Sequence, residues 1–340
     1  MLRMVPGTRR RTRRLLAVTA VLVAVVLAAG CGGDDDDGGD AANWPDLGDA
    51  PTTVTEPPGA AAPAEAECAE QSLAGRRYVL CTAGRAPDQP LIVALHGRGS
   101  SADEMRATTA LEVPAAAAGL AVVYPESLDG RWGDDTFAAP GRPSGDEDVL
   151  FLDSLVADLR ADPRIDDAAV SVVGFSNGGS MALRYGAARP NDVAAVVAVA
   201  GQLPRDPAVA PTDRVPVLIV YGTGDPVRPY DTGVASEAER TAGGPTPSLP
   251  TVDSVLAFVA AAGGDAAHEA AATDPVPDDD TSLATERWSD GDGTVAVLVS
   301  VVGGGHTWPS ARTPPPGGFG SVSRDLDASA EAIRFVVEAT

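Results

Sequence analysis

Val170-Ser171-Val172-Val173-Gly174-Phe175-Ser176-Asn177-Gly178-Gly179 is a short β-branched run that breaks into a glycine-flanked serine. It then continues into a segment carrying Met181 and Tyr185 on one helical face. This is G-x-S-x-G in a strand, turn and helix setting, which lifts a serine hydroxyl clear of the end of a strand. A serine on so sharp a turn sits in a strained backbone conformation, and side chains at positions 174 and 178 would collide there. The bare five-residue pattern is weak in a chain this rich in glycine and serine. Its place at the end of an apolar run makes Ser176 the candidate nucleophile, rather than an incidental serine in a nucleotide-binding turn.

Outward from this stretch, short apolar runs alternate with helix-period segments, which predicts βα units and one α/β domain with a mostly parallel central sheet and helices on both faces. Strands are expected at 91–96, 121–124, 170–175, 194–200, 216–221 and 294–302. Ser101 and Glu104 form a capping-box pattern for a helix to about residue 118, and Asp148 caps another through Leu152, Leu155, Val156 and Leu159. Leu326, Ala330, Ile333 and Val337 mark the apolar face of a final helix. Stretches rich in Gly, Pro or Asp at 126–147, 241–250, 274–281 and 311–321 read as loops of the same domain, and no internal repeat is visible.

A serine on such an elbow is followed in the chain first by an acid and then by a histidine. Of the three histidines, only His268 and His306 come after Ser176. His268 lies amid alanines with no strand immediately before it, whereas His306 follows the run at 294–302 and the turn Gly303-Gly304-Gly305, and is the favoured base. Val217-Leu218-Ile219-Val220-Tyr221 reads as a buried strand, and Gly222-Thr223-Gly224-Asp225-Pro226 places a carboxylate just past its end. Asp225 is therefore the expected acid, holding the imidazole in the right tautomer, with Asp231 as the alternative. His96-Gly97-Arg98-Gly99 ends another strand, so backbone N–H groups of Gly97 or Arg98 are expected to join that of Asn177 around an oxyanion. His96 itself reads as structural. Trp132 and Trp308 are candidate walls of a substrate pocket, set against the usual reading of a tryptophan as core.

Composition narrows the function classes. The net charge is −23, and six of the arginines lie in the first 30 residues, so the remainder carries −29. A chain this acidic repels phosphate backbones, which argues against a nucleic-acid partner. The absence of lysine excludes a Walker-type phosphate loop, a Schiff-base lysine and a Ser-Lys dyad. The few histidines and cysteines are scattered, so neither a local zinc motif nor any other metal or cofactor is expected.

The arginine cluster precedes fifteen apolar or small residues, Leu15 to Ala29. As a helix these rise only about 22 Å against a hydrocarbon core of roughly 30 Å, so residues 1–30 read as a cleavable export signal rather than a membrane span. Ala28-Ala29-Gly30-Cys31 resembles a bacterial lipobox, implying lipidation at Cys31 and a membrane partner through that anchor, with the protein facing outside. Thr12-Arg13-Arg14 followed by Leu15-Leu16 resembles a twin-arginine export signal. Residues 31–67 have too few large apolar side chains to fold and read as a tether, leaving 68–340 as the folded domain. Cys68 and Cys81 then remain as an even pair in an exported protein and are expected to form a disulfide.

Leu95-His96-Gly97, the segment Asp148-Val149-Leu150-Phe151-Leu152-Asp153, Gly174 to Gly179, Gly222 to Tyr230, and Gly305-His306-Thr307-Trp308-Pro309 together resemble the poly(3-hydroxybutyrate) depolymerase and feruloyl or acetylxylan esterase group. The resemblance covers roughly residues 70 to 340. It implies an α/β-hydrolase fold, a metal-independent serine esterase acting on small or polymer-borne esters, and a triad falling on Ser176, Asp225 and His306. It implies no protein partner. Two other readings stand beside it: a ligand-binding lipoprotein that keeps the scaffold without chemistry, and a serine peptidase of the same fold. The acyl group, whether hydroxycinnamoyl, acetyl or hydroxyalkanoyl, is not legible, because loops shape the pocket.

Overall fold

The computed structural model describes residues 65–134, 145–168, 170–205, 207–232 and 248–340. The expected signal at 1–30, Cys31 and the tether up to residue 64 lie outside them, as do parts of the expected loops at 126–147 and 241–250.

Six strands make the parallel centre of one sheet: β3 (Leu91–Leu95), β4 (Ala121–Pro125), β5 (Val170–Phe175), β6 (Val193–Val199), β7 (Val217–Gly222) and β10 (Gly293–Val302). They correspond to the six apolar runs read from the sequence. Buried on both faces, such strands need apolar side chains pointing both ways, so they show no alternation. The edges are antiparallel and were not anticipated. β1 (Ala66–Leu73) and β2 (Arg76–Ala83) extend one side, while β9 (Ser282–Asp290) and β8 (Ala267–Thr273) extend the other, giving the order β1-β2-β4-β3-β5-β6-β7-β10-β9-β8. Ala66 and Glu67, read as the end of the tether, are the first residues of β1. His268, read as lacking a strand, lies on β8 itself.

Helices α1 (Ala102–Thr109), α2 (Glu112–Ala117) and α6 (Ala328–Ala339) cover one face, and α3 (Gly145–Leu159), α4 (Asn177–Ala188) and α5 (Thr251–Ala261) the other. Successive strand residues serve opposite cores: Val172 belongs to the core of Leu152, Met181 and Phe258, and Val173 to that of Met105, Leu111 and Ile333.

Three helix expectations change in detail. The helix opened by Ser101, whose hydroxyl accepts from Glu104 N at 3.2 Å, stops at left-handed Ala110 and restarts as α2. In a continuous helix the ring of Pro114 would clash with the carbonyl of residue 110. Asp148 is not a cap. It lies inside the first turns of α3, fully buried, where it accepts from Arg76 Nη1 at 2.5 Å and from Gly133 N at 2.6 Å. The inward face of α6 is Ala328, Ala332, Ile333, Phe335 and Val336, while Ala330 and Val337 are exposed. Asp327 caps this helix by accepting from Ser329 N and Ala330 N.

The strand order reverses between β3 and β5, opening a crevice at the carboxyl ends of the strands. There the chain turns from β5 into α4 so tightly that backbone meets backbone. A Cβ on Gly178 would lie 2.2 Å from Leu95 O, and one on Gly174 would lie 2.1 Å from Gly178 O.

Cys68 and Cys81 face each other in the β1–β2 register and are joined by a disulfide. Replacing both by alanine is expected to lower the unfolding free energy by up to about 3 kcal/mol, the chain-entropy value for so short a loop, as read from urea denaturation with and without reductant. Gly178→Ala is expected to cost more than the ~1–3 kcal/mol of ordinary overpacking, because the atom in the way is backbone; the same denaturation curves measure it.

Candidate active site

Ser176 occupies the turn between β5 and α4 with φ 54° and ψ −118°, a conformation a non-glycine residue adopts only when its surroundings enforce it. Its amide donates to Val199 O at 2.8 Å, so the end of β6 holds the turn from the side. The hydroxyl lies 2.7 Å from His306 Nε2.

His306 is set by the loop after β10, with its amide donating to Phe319 O at 2.7 Å and that of Gly305 to Ser321 O at 2.9 Å. The ring lies between Phe175 and Phe319, with centroids 5.5 and 6.2 Å away. His306 Nδ1 is 2.6 Å from Asp225 Oδ2, and the carboxylate side chain is fully buried. An ionised carboxylate only accepts, so Nδ1–H donates to it and Nε2 is left to accept from the Ser176 hydroxyl.

Asp225 has a second function. Its Oδ1 accepts from Val227 N at 2.7 Å and Arg228 N at 2.8 Å, so the expected acid is also the former of its own turn. The Arg228 guanidinium donates to Ser180 Oγ at 2.7 Å, tying the acid's loop to the helix that begins at the serine. Asp231 is exposed. His268 stands at the sheet edge, bonded to Glu286 at 3.0 Å and stacked on Trp288 at 4.7 Å, while Ser176, Asp225 and His306 converge.

Two of the residues expected to supply oxyanion donors, Gly97 and Asn177, adjoin Ser176. A Cβ on Gly97 would meet Ser176 Cβ at 3.5 Å, so the turn carrying Gly97 and Arg98 packs directly on the serine. Asn177 is the first residue of α4, where an N–H has no carbonyl one turn back to receive it and the helix dipole favours negative charge. His96 is fully buried and structural in its contacts. Its Nε2 accepts from Ser127 N at 3.1 Å and its Nδ1–H donates to Gly97 O at 2.8 Å. Burial holds its pKa below the usual histidine value, favouring the neutral ring this pattern requires.

The tryptophans are not open walls. Trp308 is buried beneath α6 and donates its Nε1–H to Ser329 Oγ at 3.0 Å. Trp132 is fully buried, donates its Nε1–H to His96 O at 3.0 Å, and exchanges two hydrogen bonds with the Asn177 side chain. An indole N–H taken out of water needs an acceptor, and here both acceptors belong to buried residues. Phe319 and Arg228 were not anticipated. The one aromatic among the Gly-, Pro- and Ser-rich residues 313–323 was the available signal for Phe319; for Arg228 there was none. Among the described residues no three His, Cys, Asp or Glu side chains gather as a metal site, and no helix is long and apolar enough to cross a membrane.

A hydroxyl, an imidazole and a buried carboxylate in this order can pass a proton from oxygen to nitrogen while the oxygen forms a new bond. Known proteins carry similar sequences. The phospholipase/carboxylesterase family model matches residues 144–243. The protein named "Putative esterase NocK" from Nocardia uniformis subsp. tsuyamanensis is 38% identical over 255 residues, 73% of this chain and 74% of that one. Feruloyl esterase C of Emericella nidulans is 32% identical over 170 residues, 47% of this chain and 58% of its own length. The solved acetyl xylan esterase from Aspergillus awamori superposes with a TM-score of 0.50 at 14% identity, covering 79% of this chain and 99% of that one, and so shares the fold. Identity sustained over about three quarters of an esterase-named relative, on this fold, places the chain in the phospholipase/carboxylesterase family of α/β-hydrolases, as a carboxylic ester hydrolase.

Proposed function

We propose that the protein cleaves carboxylic esters by acyl transfer to Ser176, with His306 as general base and acid and Asp225 as the group that orients it. The observation that carries this reading is the single imidazole bridging Ser176 Oγ at 2.7 Å and Asp225 Oδ2 at 2.6 Å. Ser176 Oγ attacks the ester carbonyl carbon as its proton passes to His306 Nε2. The carbonyl oxygen becomes an oxyanion facing the backbone N–H groups of Asn177 and of Gly97 or Arg98. Collapse breaks the carbon–oxygen bond to the alcohol, which leaves with the proton from Nε2. Water then attacks the acyl-enzyme by the same steps, releasing the acid and restoring Ser176. Asp225 stays ionised throughout and stabilises the imidazolium.

Feruloyl, acetyl and hydroxyalkanoyl esters of small or polymer-borne alcohols are the candidate substrates, and the likeness to feruloyl esterase C supports the first. The half-buried Phe319, its ring 6.2 Å from that of His306, offers an aromatic surface beside the base. Residues 1–30 are read as an export signal, Cys31 as the lipidated first residue of the mature chain, the stretch that follows as a tether, and the remainder as the catalytic domain.

On a panel of p-nitrophenyl acyl and feruloyl esters, Ser176→Ala is expected to lose roughly 10⁴- to 10⁶-fold in kcat. Asp225→Asn is expected to lose about 10⁴-fold through the wrong imidazole tautomer. Undiminished turnover in Ser176→Ala overturns the mechanism. For the anchor, mass spectrometry of the membrane fraction is expected to find a mature N-terminus at Cys31 carrying lipid, and Cys31→Ser to release the protein from the membrane.

A further inference from the structure

We infer that Trp132 is the positioning residue that sets the two halves of the oxyanion hole at their working separation, an inference that rests on the acyl-transfer reading above. The donors come from segments far apart in the chain, Gly97 and Arg98 after β3 and Asn177 after β5. Their spacing is not dictated by local sequence, yet an oxyanion is stabilised only when both reach the same atom.

Trp132 bonds to a residue adjoining each half. Its backbone N–H donates to Asn177 Oδ1 at 2.8 Å, and its backbone carbonyl accepts from Asn177 Nδ2 at 3.0 Å. Both main-chain groups thus engage the side chain of the residue whose amide is one donor, the carbonyl also accepting from Asp134 N at 3.0 Å. Its indole Nε1–H donates at 3.0 Å to the carbonyl of His96, the residue immediately before Gly97. Beyond the local turn closed by Asp134 N at 3.0 Å, its hydrogen bonds run to His96 and Asn177.

The clamp is itself held from behind. Gly133 N donates to the buried Asp148 carboxylate at 2.6 Å, and Arg76 fixes that carboxylate from the far side at 2.5 Å while lying over the Phe151 ring. The loop of Trp132 is sewn to the Gly97 turn twice more, by Gly99 N to Gly130 O at 2.7 Å and by Ser127 N to His96 Nε2 at 3.1 Å. Trp132, His96, Asn177 and Asp148 are all buried, so water does not compete for these bonds.

Trp132→Phe keeps an aromatic ring in the core but leaves the His96 carbonyl without its donor. Because a misplacement of about 1 Å costs on the order of 100-fold in rate, kcat is expected to fall about 10- to 100-fold with KM unchanged. Affinity for an aryl trifluoromethyl ketone, which adds to the serine as a tetrahedral oxyanion, is expected to weaken by the same factor, while affinity for the carboxylic acid product stays the same. Asn177→Ala, which removes the side-chain clamp but keeps the backbone donor, is expected to show the same split and serves if the first variant does not fold.

Unchanged kcat in folded Trp132→Phe overturns the inference, as does a loss shared equally by ketone and product binding together with a lowered melting temperature. Ser176→Ala assayed in parallel separates the cases. Activity retained there defeats the acyl-transfer reading itself, whereas an inactive Ser176→Ala beside an unimpaired Trp132→Phe defeats only the positioning role.

Discussion

The closest constraint in this molecule is backbone against backbone where β3, β5 and α4 meet. With Leu95 O 2.2 Å from where a Cβ of Gly178 would be, the first turn of α4 leans directly on the end of β3. That approach brings the turn at Gly97 onto Ser176 and holds Ser176 at a positive φ that costs roughly 1–3 kcal/mol in isolation. The cost is borne by the sheet. Ser176 N is held by Val199 O, and the strands on either side of β5 are paired along its length. The neighbouring strand ends share the burden, since Ala200, just past Val199, also takes a positive φ.

Charge is handled in a similar way. A carboxylate out of water is expensive unless its lone pairs are met, and Asp225 meets its own with two amides of its turn and one imidazole N–H. Asp148 is equally buried and uses one amide and one guanidinium to fix the loop that carries Trp132. Two buried carboxylates are therefore satisfied in parallel ways, one bonded to the His306 imidazole and the other bonded to the segment that carries Trp132. Neither depends on solvent, so the geometry of the crevice is set before any substrate arrives.

The central strands and the convergence of Ser176, Asp225 and His306 were legible because both follow from strong local rules: two-faced burial writes continuous apolar runs, and an elbow writes glycines at fixed offsets. What was not legible depended on neighbours distant in sequence. β8, Ala267–Thr273, is exposed along its whole length and lacks the apolar signal of a strand; it is a strand because β9 pairs with it. Asp148 looked like a cap by its place before an apolar run, but Arg76, on the opposite side of the chain's history, had already claimed it. Trp132 and Trp308 looked like pocket aromatics by their proximity to the motifs, and only their burial and the acceptors of their indole N–H groups show that neither ring is an open wall. In α6 the inward face is out of phase with the large apolar side chains alone, since Ala328 and Ala332 are buried and Val337 is not.

The histidine lies 130 residues after the serine it faces and 81 after the aspartate, and it follows β10, a strand that must slot between β7 and β9. Contacts so distant in sequence form late, because the loop they close is long. On the proposed roles, the nucleophile is without its base until β10 has docked. On those roles the elbow alone does no chemistry, and hydrolysis requires β10 seated between β7 and β9.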